Sequence, residues 1–154
     1  MTIRNAEQKD AVRLYDMLAT VQQLHADGRP DIFISGTHKY GLEKIKEILK
    51  NPSTPVYVAD IDGVAVGYAF CEIKELGSQN LQNIKTSYID DLCVDEKYRG
   101  EGLGKKLYEF VVKKAKETGC HSVTLNVWHL NEKALGFYEY LGMKPLKTTM
   151  ECKI

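Results

Sequence analysis

The chain has 154 residues, enough for one domain with its own core and no need of disulfide or metal staples. Lys plus Arg and Asp plus Glu both number 21, so the formal net charge is zero and nothing global points to nucleic acid or a membrane surface. No apolar run approaches the roughly 18 residues of a membrane span.

The start, MTIRNAEQKD, carries charges where a signal peptide needs an apolar stretch. The expectation is a cytoplasmic protein with a single domain over residues 1–154. Cysteines 71, 93, 120 and 152 form no CxxC pair, and histidines 25, 38, 121 and 129 have no ligand spacing, so no metal site is expected.

A short strand is expected near Thr2 to Arg4. Asp10 to Leu24 reads as an amphipathic helix, with Val12, Leu14, Tyr15, Leu18, Val21 and Leu24 at helical spacing. The segment HADGRPDIFISGTHKYG, punctuated by Gly28, Pro30 and Gly36, is loop-like. Leu42, Ile45, Ile48 and Leu49 mark a second helix that stops before Asn51-Pro52. PVYVADIDGVAVGYAFCEI reads as two β-runs joined at Asp62-Gly63, a hairpin signal.

Residues 77–86, GSQNLQNIKT, are polar and read as a connection. SYIDDLCV is a further strand, followed by a glycine-rich turn and a helix starting near Lys105 that Gly119 ends. HSVTLNVW alternates Val123, Leu125 and Val127 with polar partners and reads as a strand. Asn131 is placed to cap a last helix through Leu141, with Gly142 closing it and the tail returning as a strand. The order predicts an α/β (α+β) fold, a mixed central sheet flanked by helices.

The turn YRGEGLGKK poses the functional question. Glycine costs conformational entropy, so Gly100, Gly102 and Gly104 within five positions need a reason. A strand ending at Val94, a glycine turn and a helix start together make an anion site, because the first helical N–H groups lack partners and carry the positive dipole end. Lys105 and Lys106 sit in a first turn that disfavours cations unless an anion is bound there. Arg99 adds a charge-assisted contact. A Walker A loop fails, since no Ser or Thr follows Lys105. The dinucleotide fingerprint fails too, since Lys105 stands where its third glycine belongs.

Arg99-Gly100-Glu101-Gly102-Leu103-Gly104 resembles the R/Q-x-x-G-x-G/A acyl-CoA signature of the GNAT N-acetyltransferase superfamily. YIDDLCV upstream is similar to that family's pantetheine-binding strand. Downstream, LNVWHLNEKALGFYEYLGM resembles its N-x-x-A-x-x-F/L-Y-x-x-x-G element. The resemblance runs along essentially the whole chain, although residues 20–40 carry no family-wide motif.

It implies acetyl-CoA as cosubstrate, with the diphosphate on the amides from Arg99 to Lys105, pantetheine along Leu92, Cys93 and Val94, and Asn131 as a further contact. An amide of that strand would stabilise the developing oxyanion. Partners would be acetyl-CoA and an amine acceptor, with neither nucleic acid nor membrane, and homodimer formation is left open. Competing classes are a non-catalytic acyl-CoA sensor and a nucleotide-binding module.

An alkylamine with a pKa near ~10 must lose a proton before attack, and the departing thiolate must gain one. Tyr138 is the family-matched general acid and also fits an apolar stripe with Ala134, Leu135 and Leu141. Asp90 and Asp91 are the base candidates, both unfavourable inside a β-run. Regular alternation puts Asp90 on a face with Tyr88, Leu92 and Val94, and Asp91 with Ile89 and Cys93, so at most one faces the thioester. In polyamine-acetylating relatives the acid at the Asp90 position resembles one serving a water relay.

Cys93 as a covalent nucleophile is set aside, since no histidine neighbours it and direct attack by an amine needs none. Trp128 reads as a packed aromatic, and Gly136 implies a close neighbour, either the CoA chain or another helix. The acceptor site is expected in the first long loop, with His25, Arg29, Asp31 and Phe33, and His129 is also a pocket candidate. The acceptor expected is a small primary amine, with a peptide or protein amine as the alternative.

Overall fold

Asp62 and Gly63 both have positive φ, 53° and 85°, in the computed structural model, which describes residues 1–154. Two consecutive left-handed residues make the tight turn whose twist suits a hairpin. It joins β2 (Val56–Ile61) to β3 (Val64–Ser78). With β1 (Thr2–Asn5), β4 (Leu81–Val94) and β5 (Ser122–Leu125) they form one sheet ordered β1-β2-β3-β4-β5. The first three pairings are antiparallel and β4–β5 is parallel.

Four helices cover the sheet: α1 (Ala11–Gly28), α2 (Leu42–Ile48), α3 (Leu103–Glu117) and α4 (Glu132–Tyr140). Leu14, Leu18 and Ile45 pack with Val56, Val58, Tyr68 and Phe70 on one face. Leu103, Leu107 and Val111 pack with Tyr57, Ala59, Val66 and Ala69 on the other. Both faces of the central strands are thus covered, which is why β2 reads as a nearly unbroken apolar run. No helix is long and apolar enough to cross a membrane.

Three expectations need correction. Residues 77–86 are not a connection: β3 and β4 continue as a ribbon, with Lys74↔Thr86, Leu76↔Ile84 and Ser78↔Leu81 in register. The ribbon is exposed on its surfaces, so its polarity reflects solvent rather than absence of strand. The tail from 143 to 154 forms no strand and is exposed from Lys144 onward. Its Glu151 and Lys153 instead pair with Arg29 at 3.0 Å and Asp31 at 3.1 Å. β5 stops at Leu125, short of Trp128, where the chain leaves β4. Smaller shifts extend α1 to Gly28 and start α3 at Leu103.

Candidate active site

The parallel ladder ends at Ile89↔Leu125, so one edge of Leu92–Val94 has no strand beside it. The antiparallel side of β4 carries the decisive irregularity. Phe70 pairs with Asp91 and Cys71 with Ile89, leaving Asp90 as the extra residue of a β-bulge. A bulge resets the alternation of side chains. Ile89, Leu92 and Val94 therefore pack together on the α3 face, and Cys93 on the α1–α2 face.

Regular alternation had put Asp90 with Leu92 and Val94, and Asp91 with Ile89. That expectation fails for this reason. Both aspartates turn towards the α1–α2 side. The Tyr40 hydroxyl donates to Asp90 at 2.6 Å, and the Tyr68 hydroxyl to Asp91 at 3.4 Å. Lys39 Nζ lies 2.9 Å from the Asp90 carboxylate and 3.9 Å from that of Asp91.

Burial pushes the Asp91 carboxyl up to about 6; the Lys39 charge opposes this rise and the Asp90 charge adds to it. Burial, followed by the Asp91 charge, likewise holds the Tyr138 hydroxyl well above the usual tyrosine range. Burial pushes the Cys93 thiol up to about 11, with the Asp91 charge adding to it, so the thiol stays protonated at neutral pH.

A cleft of about 260 Å³ opens where β4 and β5 part. Leu92, Asn131 and Tyr138 line it together with Asp90, Asp91, Lys39, His25 and Phe33. Asn131 caps α4, its side chain accepting from Ala134 N at 3.1 Å. Trp128 also lines the cleft, edge-on to Phe33 with ring centroids 5.1 Å apart. His25 stacks obliquely on Phe33 at 5.0 Å, and burial, then the Lys39 charge, lowers its pKa.

Arg29 and Asp31 do not line the cleft. They pair with each other at 2.8 Å and with the tail, so the fold does not bring them together with His25 and Phe33. His129 is absent from the cleft lining as well. Reading the sequence missed Lys39 and Tyr40, because nothing in a polar loop marks which residue folds back onto a strand.

The glycine loop divides into two roles. Gly100 and Gly102 have φ of 85° and 74°, left-handed values that strain any side chain. Gly104 serves packing: a Cβ there would stand 3.2 Å from the Phe137 ring, next to Tyr138. The first bond of α3 runs from Lys106 N to Gly102 O at 3.1 Å. The amides of Leu103, Gly104 and Lys105 precede it and have no acceptor within the chain. Arg99 Nε donates to the Val94 carbonyl at 3.1 Å, which fixes the guanidinium beside the loop. Asp95 is held by Arg13 of α1 and accepts from Lys97 N at 3.0 Å, which anchors the strand end. Gly136 has no heavy atom within 4 Å of where a Cβ would be, so helix packing does not account for it.

The acetyltransferase (GNAT) family profile matches residues 18–143, and the chain belongs to that family. An N-alpha-acetyltransferase of Sulfurisphaera tokodaii is 34% identical over 106 residues, 66% of this chain and 63% of that protein. The crystal structure of a mutant BH1408 protein from Bacillus halodurans superposes with a TM-score of 0.95 at 29% identity, covering 100% of this chain and 99% of that one. An aminoglycoside N-acetyltransferase in complex with CoA shares the fold, with a TM-score of 0.67 at 18% identity over 99% and 98% of the two chains. The chain spans 66% or less of the length of the curated relatives it matches first.

Proposed function

We propose that the chain is one acetyltransferase domain that moves an acetyl group from acetyl-CoA to a small primary amine, by direct attack on the thioester. The observation that carries this reading is the single cleft in which Tyr138, the unpaired edge of β4 and two carboxylates meet.

The residues fit the cosubstrate. Left-handed Gly100 and Gly102, the unbonded amides of Leu103 to Lys105 and the Arg99 guanidinium suit a diphosphate. Leu92, Cys93 and Val94 offer strand backbone for the two amides of pantetheine, and Asn131 at the start of α4 shares the cleft with Leu92. Bound there, acetyl-CoA supplies the activated acetyl group.

The remaining chemistry belongs to side chains. Asp90 and Asp91 attract an ammonium group to the bulge. Asp91, with a carboxyl near 6, takes the proton that the amine must lose. Tyr138, protonated at neutral pH, donates to the leaving sulfur. A backbone amide of the bulged strand stabilises the oxyanion as it develops. An acceptor amine, rather than a hydroxyl, is favoured because the site presents acid oxygens and a backbone carbonyl to a cation.

Acetyl-CoA-dependent thiol release across a panel of polyamines, aminoglycosides, amino acids and short peptides tests the reading. Strong turnover on one amine class supports it. CoA binding with no turnover on any amine points to an acyl-CoA sensor instead, and heat protection by ATP or NADH but not CoA points to a nucleotide-binding module.

A further inference from the structure

Lys39 lies in the irregular segment between α1 and α2 and reaches back over the sheet to the bulge of β4. Its Nζ donates to the Asp90 carbonyl at 2.9 Å, stands 2.9 Å from the Asp90 carboxylate and 3.9 Å from the Asp91 carboxylate. Three groups at one irregularity thus converge on one ammonium. That is the arrangement a primary amine acceptor needs, and a side chain of this protein already occupies it. Other lysines, such as Lys46 with Glu43 and Lys114 with Glu117, form ordinary helix-surface pairs outside the cleft.

We propose that Lys39 is an internal acceptor: its amine occupies the acceptor's place and is acetylated there by the chain's own site. This rests on the acetyltransferase reading above. Lys39 Nζ gives one proton to Asp91, and the freed lone pair forms a C–N bond to the acetyl carbonyl carbon. The thioester C–S bond breaks, and the sulfur leaves with a proton from the Tyr138 hydroxyl. The second ammonium proton returns to Tyr138 through solvent. The products are Nζ-acetyl-Lys39 and free CoA, with one net proton released from Asp91. Acetylation removes the charge that holds the loop on the carboxylates, and the place passes to an external amine.

The test is peptide mapping by mass spectrometry after incubation with acetyl-CoA and no added amine. Lys39 should gain one acetyl group at least about tenfold faster than Lys46 or Lys114, because it is held at the reacting centre. Tyr138→Phe should slow the Lys39 reaction and leave the two surface lysines unchanged. Slow, equal labelling of all three lysines that is indifferent to Tyr138→Phe overturns the proposal. If external amines are still acetylated in that case, the site reading survives and only the internal acceptor falls. If acetyl-CoA neither labels the protein nor shifts its melting, both fall.

A second readout needs no cosubstrate. Cadaverine, used as the probe diamine, should bind the Lys39→Gln protein several-fold tighter than the unaltered chain, by calorimetry or thermal shift. Equal or weaker binding means that Lys39 does not hold the amine's place.

Discussion

At one end of the sheet Arg4 bridges Asp10 and Asp60; at the bulge of β4 Lys39 bridges Asp90 and Asp91. The arithmetic of charge is the same in both places, one cation and two carboxylates. Arg4 engages Asp60 through Nε at 2.8 Å and Asp10 through Nη1 and Nη2 at 2.8 and 3.0 Å, so its planar fork satisfies both acids. Burial works against the charge on Asp10, yet the Arg4 bond and the Glu7 amide outweigh it and hold that carboxyl below its usual range. Asp60 is lowered by Arg4 and then by the Gly63 amide.

Lys39 is a point charge on a flexible stem, set 3.9 Å from Asp91, and burial wins there. A fork that closes on its acids makes a structural joint. A looser lysine leaves one acid able to change protonation near neutral pH, which suits proton transfer.

Breaking the joint should have the largest effect. Arg4→Ala leaves Asp10 buried and unpaired, and should cost about 3 kcal/mol of stability in chemical denaturation. The activity of the protein that remains folded should keep its pH profile. A loss below about 1 kcal/mol would show that solvent reaches Asp10 and that the two clusters differ less than their geometry suggests.

Tyr138→Phe should come next, lowering turnover roughly 100-fold while acetyl-CoA binding by calorimetry stays within a few-fold. Unchanged turnover would return Tyr138 to a packing role.

Asp91→Asn sharpens the comparison directly. If Asp91 is the base, the unaltered protein should gain kcat/KM as pH rises through about 6, where Asp91 loses its proton. The variant should lose roughly tenfold at pH 7 and lose that rising limb. Retention of the limb would hand the base role to Asp90 or to a water relay.

The two clusters should also affect stability with opposite sign. Asp10 and Asp60 are held low, so they stabilise the fold above the ordinary carboxylate range, and that contribution is lost as pH falls from there through their lowered folded values. Asp91 is held high, so its contribution is lost as pH rises from about 4 to about 6. Denaturation midpoints of the Asp91→Asn protein across that window should lack the second trend.

Gly102→Ala should be the mildest change. Forcing a side chain to φ of 74° costs about 1 kcal/mol, and acetyl-CoA affinity should fall several-fold as the loop amides shift. Equal affinity would mean that the loop does not cradle the diphosphate.

Local chemistry determined much of this protein without help from distant residues. The Asp62-Gly63 turn, the Asn131 cap, the helix-ending Gly119 and Gly142, and the strand–glycine–helix junction each follow from a few neighbouring residues whose φ preferences or hydrogen bonds act locally. The same junction with its flanking motifs carried the family. Polarity misled where exposure, not conformation, set it: the ribbon over residues 77–86 is strand with water on its surfaces.

Tertiary structure decided the surroundings of Asp90 and Asp91. One extra residue opposite Phe70 and Cys71 turned two aspartates from opposite faces to the same one, and register between strands is invisible in a single strand's alternation. Lys39 meets Asp90 across 51 positions of chain, and Arg29 turned to the tail rather than to the cleft. Such pairings depend on how loops close over a finished sheet, and loop closure is set by long-range packing that no local pattern records.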